Sequence, residues 1–347
     1  MSTAACRIGL LGFGTVGSAV ARRLTRIDPL HNLALTHIFD RRAALKKRRF
    51  EHPICWTDRI DDLLTSDVDI IIEAIGGVDP AVDWIRSALL AGKSVVTSNK
   101  QAIAQDGPAL RQTAARQGRQ LRFEAAVGGS MPIVRAVADG LAGDRIQRIV
   151  AILNGTTNFV LSRVETAGGS IAEAIDDARE RGFAEADPRA DLDGIDAAAK
   201  LSILCALAFQ LRVDPSTIAT RSSGDLASGD FKRARDSGGA IRQLAYAAYD
   251  SSRRVLTAWV APACVRRGSF FARTTGARNA AVITGEFAGD VQISGTGAGG
   301  DATAVAIISD LLAIARDRAA IVPAPILSTP AAIVGPSVDR LLRAEAV

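Results

Sequence analysis

The segment RIGLLGFGTVG, residues 7–17, decides the fold of the N-terminal half. Its first five residues are mostly apolar, as in a strand buried on both faces, and glycines follow at positions 12, 14 and 17. Such glycines let the chain turn tightly, let its backbone approach a diphosphate and let the next helix pack closely on the strand. The amino end of that helix presents N–H groups to the phosphates. We therefore predict a dinucleotide-binding turn that comprises Gly12, Phe13, Gly14, Thr15, Val16 and Gly17.

Alternating apolar runs continue from this turn to about residue 130. Further strands are predicted at 33–39, 68–75, 95–97 and 121–127, and helices at 16–27, 80–90 and 101–117. Such alternation predicts a parallel sheet with helices on both faces. Because the glycine turn follows a strand and opens a helix at the start of this pattern, dinucleotide binding is favoured over a purely structural turn. Residues 1–130 are therefore predicted to form a Rossmann NAD(P)-binding domain.

A different mixture of elements follows residue 130. Strands are predicted at 148–153, 255–260, 280–284 and 290–294, and helices at 171–181, 195–211 and 302–315. This half is predicted to be α+β with an antiparallel sheet. The fold class is therefore α/β, with an N-terminal Rossmann parallel sheet and a second, α+β domain at 131–347. The helix near the C-terminus is expected to pack back on the first domain.

The composition excludes several classes of protein. With 48% hydrophobic and 23% charged residues, the chain is typical of a folded soluble protein rather than a disordered one. Its first residues lack the features of a secretory signal, and no apolar run reaches the ~18 residues of a membrane span. The scattered cysteines favour a reducing compartment over a disulfide framework or a zinc site. We expect a cytoplasmic protein that binds no membrane.

The acidic residue that follows the second strand is Asp40. A carboxylate at this position can bind the ribose of NAD and repel the 2′-phosphate of NADP. Arg41 comes next, and residues 46–49 are all basic, so these side chains could instead hold that phosphate. The choice between NADP and NAD stays open, with the basic residues slightly favouring NADP. A solvated helix face is the simpler alternative for them, and nucleic-acid binding is disfavoured because no aromatic residues alternate with the charges.

Carboxylates and one lysine are concentrated in GFAEADPRADLDGIDAAAK, residues 182–200. Asp196 and Lys200 are four residues apart and so share a face of the predicted helix. Residues 201–207 are almost entirely apolar, which predicts that this helix is largely buried. An ordinary helical ion pair is the alternative. A buried lysine beside an acid nevertheless suits proton exchange with a carbonyl, and the acids suit a substrate that carries an ammonium group.

Six segments of the chain resemble the homoserine dehydrogenase family: GFGTVG (12–17), SVVTSNK (94–100), FEAAVGGSMPIV (123–134), ILNGTTNFVL (152–161), residues 182–204 and GTGAGGDATAVAIISDL (295–311). The resemblance covers nearly the whole chain. It implies the NAD(P)-dependent interconversion of L-homoserine and L-aspartate 4-semialdehyde, a reaction of threonine and methionine biosynthesis. A Rossmann oxidoreductase for another amino acid or semialdehyde is one alternative. A non-catalytic nucleotide-sensing protein is another, although both lysines and the acids are present.

The resemblance also implies roles for single residues of the substrate site. Lys200 corresponds to the catalytic lysine and Lys100 to a second lysine near the reacting carbon and the cofactor. Glu185 and Asp196 correspond to residues that hold the ammonium and hydroxyl ends of homoserine. Asp191 corresponds to a further acid of the catalytic site. The second domain is accordingly expected to be catalytic and to mediate homodimerisation through its sheet.

Further residues are implied in cofactor and cation binding. Thr97 and Gly182 correspond to cofactor-contacting positions, and Gly295 and Gly297 to a late glycine loop that closes over the nicotinamide. A site for a monovalent cation such as sodium is implied by Glu124, Val127, Gly129 and Met131, mostly through backbone carbonyls.

This sequence departs from the family pattern in three places. Ser98 stands where alanine or proline is more frequent, and Asp40 stands where many NADP-dependent members carry arginine. The chain ends at Val347, which leaves no room for the C-terminal regulatory ACT domain of longer members. We therefore expect no feedback inhibition by threonine through such a domain.

Overall fold

A computed structural model describes residues 5–26, 32–50, 52–297, 299–318, 320, 322 and 324–335. Its contacts divide the chain into two compact units. The first unit comprises Met1–Ala126 and Gly299–Ile326, and the second comprises Val127–Ala298 and Leu327–Val347. The division after Ala126 precedes the boundary expected at residue 130, and the segment that begins at Gly299 returns to the first unit.

The strands are β1 (Cys6–Leu11), β2 (Leu33–Phe39), β3 (Cys55–Thr57), β4 (Ile70–Glu73), β5 (Ser94–Thr97), β6 (Leu121–Arg122), β7 (Ile146–Ile152), β8 (Ala219–Thr220), β9 (Gly239–Asp250), β10 (Val255–Arg266), β11 (Arg278–Gly285), β12 (Gly289–Thr296) and β13 (Ala332–Val334).

The helices are α1 (Thr15–Leu24), α2 (Ala43–Lys47), α3 (Ile60–Thr65), α4 (Ala81–Leu90), α5 (Lys100–Arg116), α6 (Ile133–Arg135), α7 (Gly155–Ala167), α8 (Ile171–Glu180), α9 (Arg189–Leu192), α10 (Ile195–Ala208), α11 (Ser228–Asp236), α12 (Phe270–Arg273) and α13 (Gly300–Arg316). Short 3-10 helices lie at Glu124–Ala126 and Pro215–Thr217, and a π-helical turn lies at Ala136–Gly140. Among the described residues, no helix combines the length and the apolar character that crossing a membrane requires.

The first unit contains a parallel sheet with the strand order β3-β2-β1-β4-β5-β6. This is the order of a dinucleotide-binding Rossmann fold, in which ligands bind at the carboxyl ends of the strands where the order reverses, here between β1 and β4. The predicted fold class of the N-terminal half is confirmed. Most of β1, β4 and β5 is buried, which explains their continuous apolar sequences.

Helix α13 packs on α1 within the first unit. Ile307 and Leu311 of α13 share one apolar core with Ala19 and Val20 of α1 and with strands β1 and β4. The two helices approach closely because Gly300 has no side chain: a Cβ there would lie 3.0 Å from the carbonyl oxygen of Thr15. The apolar pattern of the late segment is therefore explained by burial against the glycine-turn helix.

The run 121–127 was predicted as a strand, and most of that prediction is wrong. The strand ends at Arg122 and a 3-10 helix follows. The backbone N–H of Glu124 donates to the side chain of Asp310 at 2.8 Å, so a buried carboxylate on α13 takes the place of a strand partner. A distant side chain of this kind leaves no signal in the local apolar pattern.

The second unit contains a sheet in the order β12-β11-β7-β9-β10-β13, with β8 also paired to β10. The pairings from β12 through β10 are antiparallel, as predicted. Strands β8 and β13 pair with β10 in parallel, so the sheet is mixed where an antiparallel sheet was predicted, and the predicted α+β class holds. Both exceptions are only two or three residues long, too short to show a strand pattern.

Candidate active site

The glycine turn has the shape that a dinucleotide requires. Gly12 has φ +98°, and a Cβ on it would lie 2.9 Å from the carbonyl oxygen of Ala74. A Cβ on Gly17 would lie 2.0 Å from the carbonyl oxygen of Gly12. A Cβ on Gly14 would have no neighbouring atom within 4 Å. The first and third glycines are therefore needed for packing, whereas the second leaves its backbone open to a ligand at the uncapped start of α1.

Asp40, at the end of β2, is held by the protein itself. Its Oδ2 accepts hydrogen bonds from the Phe13 N–H at 2.9 Å and from Lys46 Nζ at 2.5 Å, and its Oδ1 accepts from the Arg42 N–H at 2.9 Å. Burial by itself raises the pKa of the Asp40 carboxyl, but these hydrogen bonds and the Lys46 charge outweigh burial and lower the pKa below its usual value. The carboxylate is therefore ionised and neutralised by Lys46.

Lys46 also ties the basic segment to the glycine turn. Its Nζ donates to the carbonyl oxygen of Phe13 at 2.8 Å, in addition to its ion pair with Asp40. The Phe13 ring makes edge contacts with Trp56 at 4.9 Å and with Phe50 at 5.3 Å between ring centroids. Arg41, by contrast, is exposed. Lys46, Trp56 and Phe50 thus fix the glycine turn from the β2 side, whereas the Arg41 side chain stays accessible to solvent.

Lys100 is the first residue of α5 and lies next to the carboxyl ends of β4 and β5. Asn99 caps this helix, because its Oδ1 accepts from the Ala102 N–H at 3.0 Å. The Thr97 hydroxyl donates to the buried Glu73 carboxylate, and its oxygen accepts from the Asn99 N–H at 2.9 Å. Thr97 is fully buried, so its side chain binds inside the protein rather than on an open surface.

In the second unit, Lys200 lies at the centre of a hydrogen-bonded network. Its Nζ is 2.6 Å from Asp196 Oδ2 and 2.8 Å from the carbonyl oxygen of Leu153. The exposed fractions of the two side chains are 13% for Lys200 and 6% for Asp196. Asn154 Nδ2 donates to the same Asp196 oxygen at 2.8 Å and to Asp191 Oδ1 at 2.7 Å. The structure thus brings together three of the predicted residues, Asp191, Asp196 and Lys200.

The local sequence explains how this network forms. Asn154 lies two residues after the end of β7 and caps α7, since its Oδ1 accepts from the Thr157 N–H at 2.8 Å. Gly194, with φ +80°, makes the turn between α9 and α10, and a Cβ on it would lie 2.9 Å from a methyl carbon of Val260. Asp196 follows in the first turn of α10, where the helix dipole favours a negative charge.

Asn154 is the residue of the network that sequence reasoning missed. A strand was predicted at 148–153, and no helix was predicted over 155–167. Gly, Thr and Asn are poor helix formers, which hides the helix. The available signal was an asparagine five residues before the apolar segment 159–161, at a position where asparagine is a frequent helix cap.

Glu185 and Gly182 lie in the exposed segment that precedes α9. Gly182 has φ +73°, which favours glycine there. The neighbouring Asp187 is paired with Arg189 at 2.5 Å, and this contact lowers the pKa of Asp187 to about 2. Arg189 therefore pairs with Asp187 on the surface. Glu185 is also exposed, but Arg189 does not pair with it. The predicted role of Glu185 in binding substrate stays a prediction.

The residues of the predicted cation site are all buried. Glu124 lies in the 3-10 helix of the first unit, and Val127 and Met131 are fully buried in the second. Gly129 has φ +65°, and a Cβ on it would lie 2.5 Å from the carbonyl oxygen of Thr296. Neither this geometry nor any similarity below tests cation binding, so that role stays a prediction.

The late glycines are required by packing inside the second unit. A Cβ on Gly295 would lie 3.1 Å from the backbone of Met131, and one on Gly297 would lie 2.4 Å from Asn279 Oδ1. Asn279 is fully buried beneath this loop. Glycine is therefore needed at both positions irrespective of the cofactor, and the role of Gly297 in cofactor binding stays a prediction.

Family models match both parts of the chain. The model described as "Homoserine dehydrogenase, NAD binding domain" matches residues 12–124, and the model "Homoserine dehydrogenase" matches residues 132–312. The chain belongs to the homoserine dehydrogenase family. The first match covers the glycine turn and Lys100, and the second covers the network around Lys200.

Individual homoserine dehydrogenases agree with this assignment over most of the chain. The chain is 40% identical to the Mycobacterium leprae homoserine dehydrogenase over 323 residues, which are 90% of this chain and 72% of that protein. It is 33% identical to the Bacillus subtilis homoserine dehydrogenase over 320 residues, with coverages of 90% and 73%. The crystal structure of a homoserine dehydrogenase from Thiobacillus denitrificans has a TM-score of 0.88, 31% identity and coverages of 95% and 80%.

Family membership defines the reaction. The protein is an NAD(P)-dependent oxidoreductase that acts on the CH–OH group of L-homoserine and interconverts it with L-aspartate 4-semialdehyde. The function predicted from the sequence is therefore confirmed. Which residues bind NAD(P) and the amino-acid substrate is not tested by these similarities, so the roles of the glycine turn and of Lys200 with its acids stay predictions.

Proposed function

We propose that Lys200 exchanges the proton in the interconversion of L-homoserine and L-aspartate 4-semialdehyde. The observation that carries this role is the ion pair of 2.6 Å between Lys200 Nζ and Asp196 Oδ2 in a nearly buried setting. A lysine ammonium held in this way is oriented by its two acceptors. It can donate a hydrogen bond where negative charge develops, which is the requirement for reducing a carbonyl.

When bound, the nicotinamide cofactor supplies or accepts the hydride at C4 of the substrate. Lys200 stabilises the negative charge on the carbonyl oxygen and then transfers a proton from Nζ to that oxygen. In the direction of homoserine oxidation it accepts the hydroxyl proton. Asp196 and the Leu153 carbonyl fix the direction of the Nζ group. Lys100 is assigned an assisting electrostatic role.

Charge complementarity supports an amino-acid substrate. Asp191 and Asp196 contribute two carboxylates to the network, Lys200 contributes one positive charge and Asn154 is neutral. Because acids outnumber basic groups in this set, it favours a substrate that carries a positive charge, as the ammonium group of homoserine does. We assign the ammonium and hydroxyl ends of the substrate to Glu185 and Asp196.

We propose NADP as the preferred cofactor, with NAD as an alternative. The Asp40 carboxylate is already bonded to two backbone N–H groups and to Lys46, so its charge is neutralised and repels a 2′-phosphate less. Arg41 is exposed directly after it. A hyperthermophilic archaeal homoserine dehydrogenase solved in complex with NADPH has a TM-score of 0.77 and 25% identity to this chain, with coverages of 92% and 99%.

Initial rates of homoserine oxidation, measured once with NADP and once with NAD, test the reaction and the cofactor together. We expect turnover with both cofactors and a higher kcat/KM with NADP. Absence of turnover with either cofactor would contradict the proposed chemistry, and a higher kcat/KM with NAD would contradict only the cofactor preference. A panel of other amino-acid alcohols, assayed in parallel, tests the substrate.

Three further assignments rest on the sequence: the dimer and the cation on the family resemblance, and the location on the scattered cysteines and the absence of a secretory signal. We propose a homodimer formed through the sheet of the second unit, a cytoplasmic location and a monovalent cation held by Glu124, Val127, Gly129 and Met131. Light scattering tests the dimer. Rates measured after exchange of sodium for a bulky organic cation test the ion.

A further inference from the structure

Glu73, a residue with no role assigned above, is a fully buried carboxylate at the carboxyl end of β4. Its Oε1 accepts hydrogen bonds from the backbone N–H groups of Ile75 at 2.9 Å and Gly76 at 3.0 Å. A buried ionisable group is costly unless it is well bonded, and here both bonds go to the loop that follows β4. This loop also contacts the glycine turn, because a Cβ on Gly12 would lie 2.7 Å from Ile75 Cγ2.

The second oxygen of Glu73 connects to the start of α5. Oε2 accepts from the Thr97 hydroxyl, whose oxygen accepts from the Asn99 N–H at 2.9 Å. Asn99 caps α5 and donates from Nδ2 to the carbonyl oxygen of Gly77 at 2.6 Å. Lys100 is the next residue. One carboxylate therefore fixes the β4 loop with one oxygen and the turn that leads to Lys100 with the other.

Regular backbone pairing does not account for this arrangement. Backbone N–H groups at the ends of parallel strands can bind water, so closing the sheet does not require a buried acid. Glu73 lies on β4, one of the two strands between which the sheet order reverses, and that reversal is where Rossmann folds bind their ligands. Gly76 and Gly77 both have positive φ, so the loop has a specific shape for Glu73 to maintain.

We propose that Glu73 is a positioning residue that fixes Lys100 and the β4 loop relative to each other through Thr97 and Asn99. This role rests on the proposed function, in which Lys100 assists the reaction. Glu73 touches neither substrate nor cofactor in this role. Glu73 instead holds the Lys100 ammonium in the position from which Lys100 lowers the activation barrier of the reaction.

Two substitutions cut the path to Lys100 while sparing the β4 loop. Glu73→Gln keeps an oxygen for Ile75 and Gly76 but turns an amide N–H₂ toward the Thr97 hydroxyl, which then has no acceptor for its proton. Thr97→Val removes the hydroxyl and keeps the shape. We expect each variant to lower kcat about 10- to 100-fold, the effect of a misplaced catalytic group. Because both act on one path, the double variant should lose no more than the worse single variant.

Two measurements separate positioning from mere support of the fold. The dissociation constant of NADPH, from fluorescence titration, should change less than about threefold, because the effect is on kcat. Amide hydrogen exchange should become faster at 97–103 in both single variants and remain unchanged in α4. Thr113→Val, the same substitution near the other end of α5, is the matched control and should leave kcat unchanged.

The outcomes distinguish this role from the proposed function. Wild-type protein that fails to oxidise homoserine contradicts the proposed function, and the exchange rates at 97–103 then decide the role of Glu73 alone. Unchanged exchange there, kcat losses that multiply in the double variant, or a lower melting temperature with unchanged kcat would each overturn the positioning role.

Discussion

The side-chain amide of Asn154 donates a 2.8 Å hydrogen bond to Asp196 Oδ2, the same oxygen that binds the ammonium group of Lys200. Both residues are buried: over the whole residue, the exposed fraction is 5% for Asn154 and 7% for Asp196. The cap of α7 and the first turn of α10 are therefore joined at one carboxylate oxygen. Two donors on this one oxygen hold the Asp196 carboxylate in place.

Asn154→Asp should lower kcat/KM for homoserine about 10- to 100-fold. The aspartate can still accept from the Thr157 N–H and cap α7, but it loses the donor to Asp191 and Asp196 and adds a third carboxylate to them. Steady-state rates check the activity, and urea unfolding checks the stability. Ser170→Ala, which removes the cap of α8, is the control. Ser170→Ala should lower the free energy of unfolding by about 1 kcal/mol and leave the activity unchanged. An Asn154→Asp enzyme with wild-type kcat/KM would contradict the role of Asn154 in the network.

Lys200→Ala should lower kcat about 10²- to 10⁴-fold, the contribution typical of a general acid–base group. Lys200→Arg should lose a similar factor although it keeps the positive charge for Asp196, because a guanidinium does not release its proton. Rates at saturating substrate give kcat, and circular dichroism checks that the fold survives. The exposed Lys232, changed to Ala, is the matched control within the second unit. Full activity in the Lys200→Arg enzyme would assign Lys200 a purely electrostatic role.

Glu185→Gln should raise KM for homoserine about tenfold with a smaller change in kcat, the result of losing about 1.4 kcal/mol of binding. The folded protein should keep its stability, because Glu185 is exposed. Substrate titrations at fixed cofactor measure the effect. Glu180→Gln, on the exposed end of α8, serves as the control. If Glu185→Gln instead unfolds the protein and leaves KM alone, the residue is structural.

The protein should lose stability above about pH 9 because of its buried thiols. Burial raises the pKa of Cys205 to about 12, and burial is also the main cause that raises the pKa of Cys6 to about 11. Above about pH 8.5 the unfolded chain releases thiol protons that the folded chain keeps, so the unfolded state binds fewer protons and stability falls as pH rises.

Urea unfolding at about pH 8 and about pH 10 measures this loss, which should be smaller in Cys205→Ala than in wild type. The variant starts from a lower stability because it lacks a buried side chain, so the difference between the two pH values is the relevant quantity. Cys55→Ala, at an exposed cysteine, should keep the wild-type pH dependence. Equal losses in wild type and Cys205→Ala would contradict the assignment.

The sequence predicted those parts of the fold that rest on local patterns. Strand β2 was predicted with its observed bounds, and the glycine turn, α5 and α10 were placed to within a few residues. Helix α7 and strand β9 were missed. Helix α7 begins with poor helix formers, whereas β9 carries the buried Arg242 and Gln243 in the middle of its run.

In the candidate site, too, the sequence predicted only the contacts that follow from local spacing. The pairing of Asp196 with Lys200 could be predicted, because their spacing of four residues puts them on one helix face. The bonds from Asn154 to Asp191 and Asp196 span 37 and 42 residues of sequence. The carboxylate of Glu73 joins two loops in a similar way. Such contacts depend on the tertiary fold and have no local pattern.

Lys46→Met should shift the cofactor preference from NADP toward NAD. Lys46 neutralises Asp40, and without it the Asp40 carboxylate faces the 2′-phosphate of NADP with an uncompensated charge. A change of about 1 kcal/mol is expected for such a pair, or about fivefold in the ratio of kcat/KM for NADP to that for NAD. Lys47→Met, which removes the same charge from the adjacent exposed position, should change the ratio less. Added salt should reduce the difference between the two variants, because salt screens charges near the surface. A ratio that falls equally in both variants would mean that net basicity, rather than the Asp40–Lys46 pair, sets the preference.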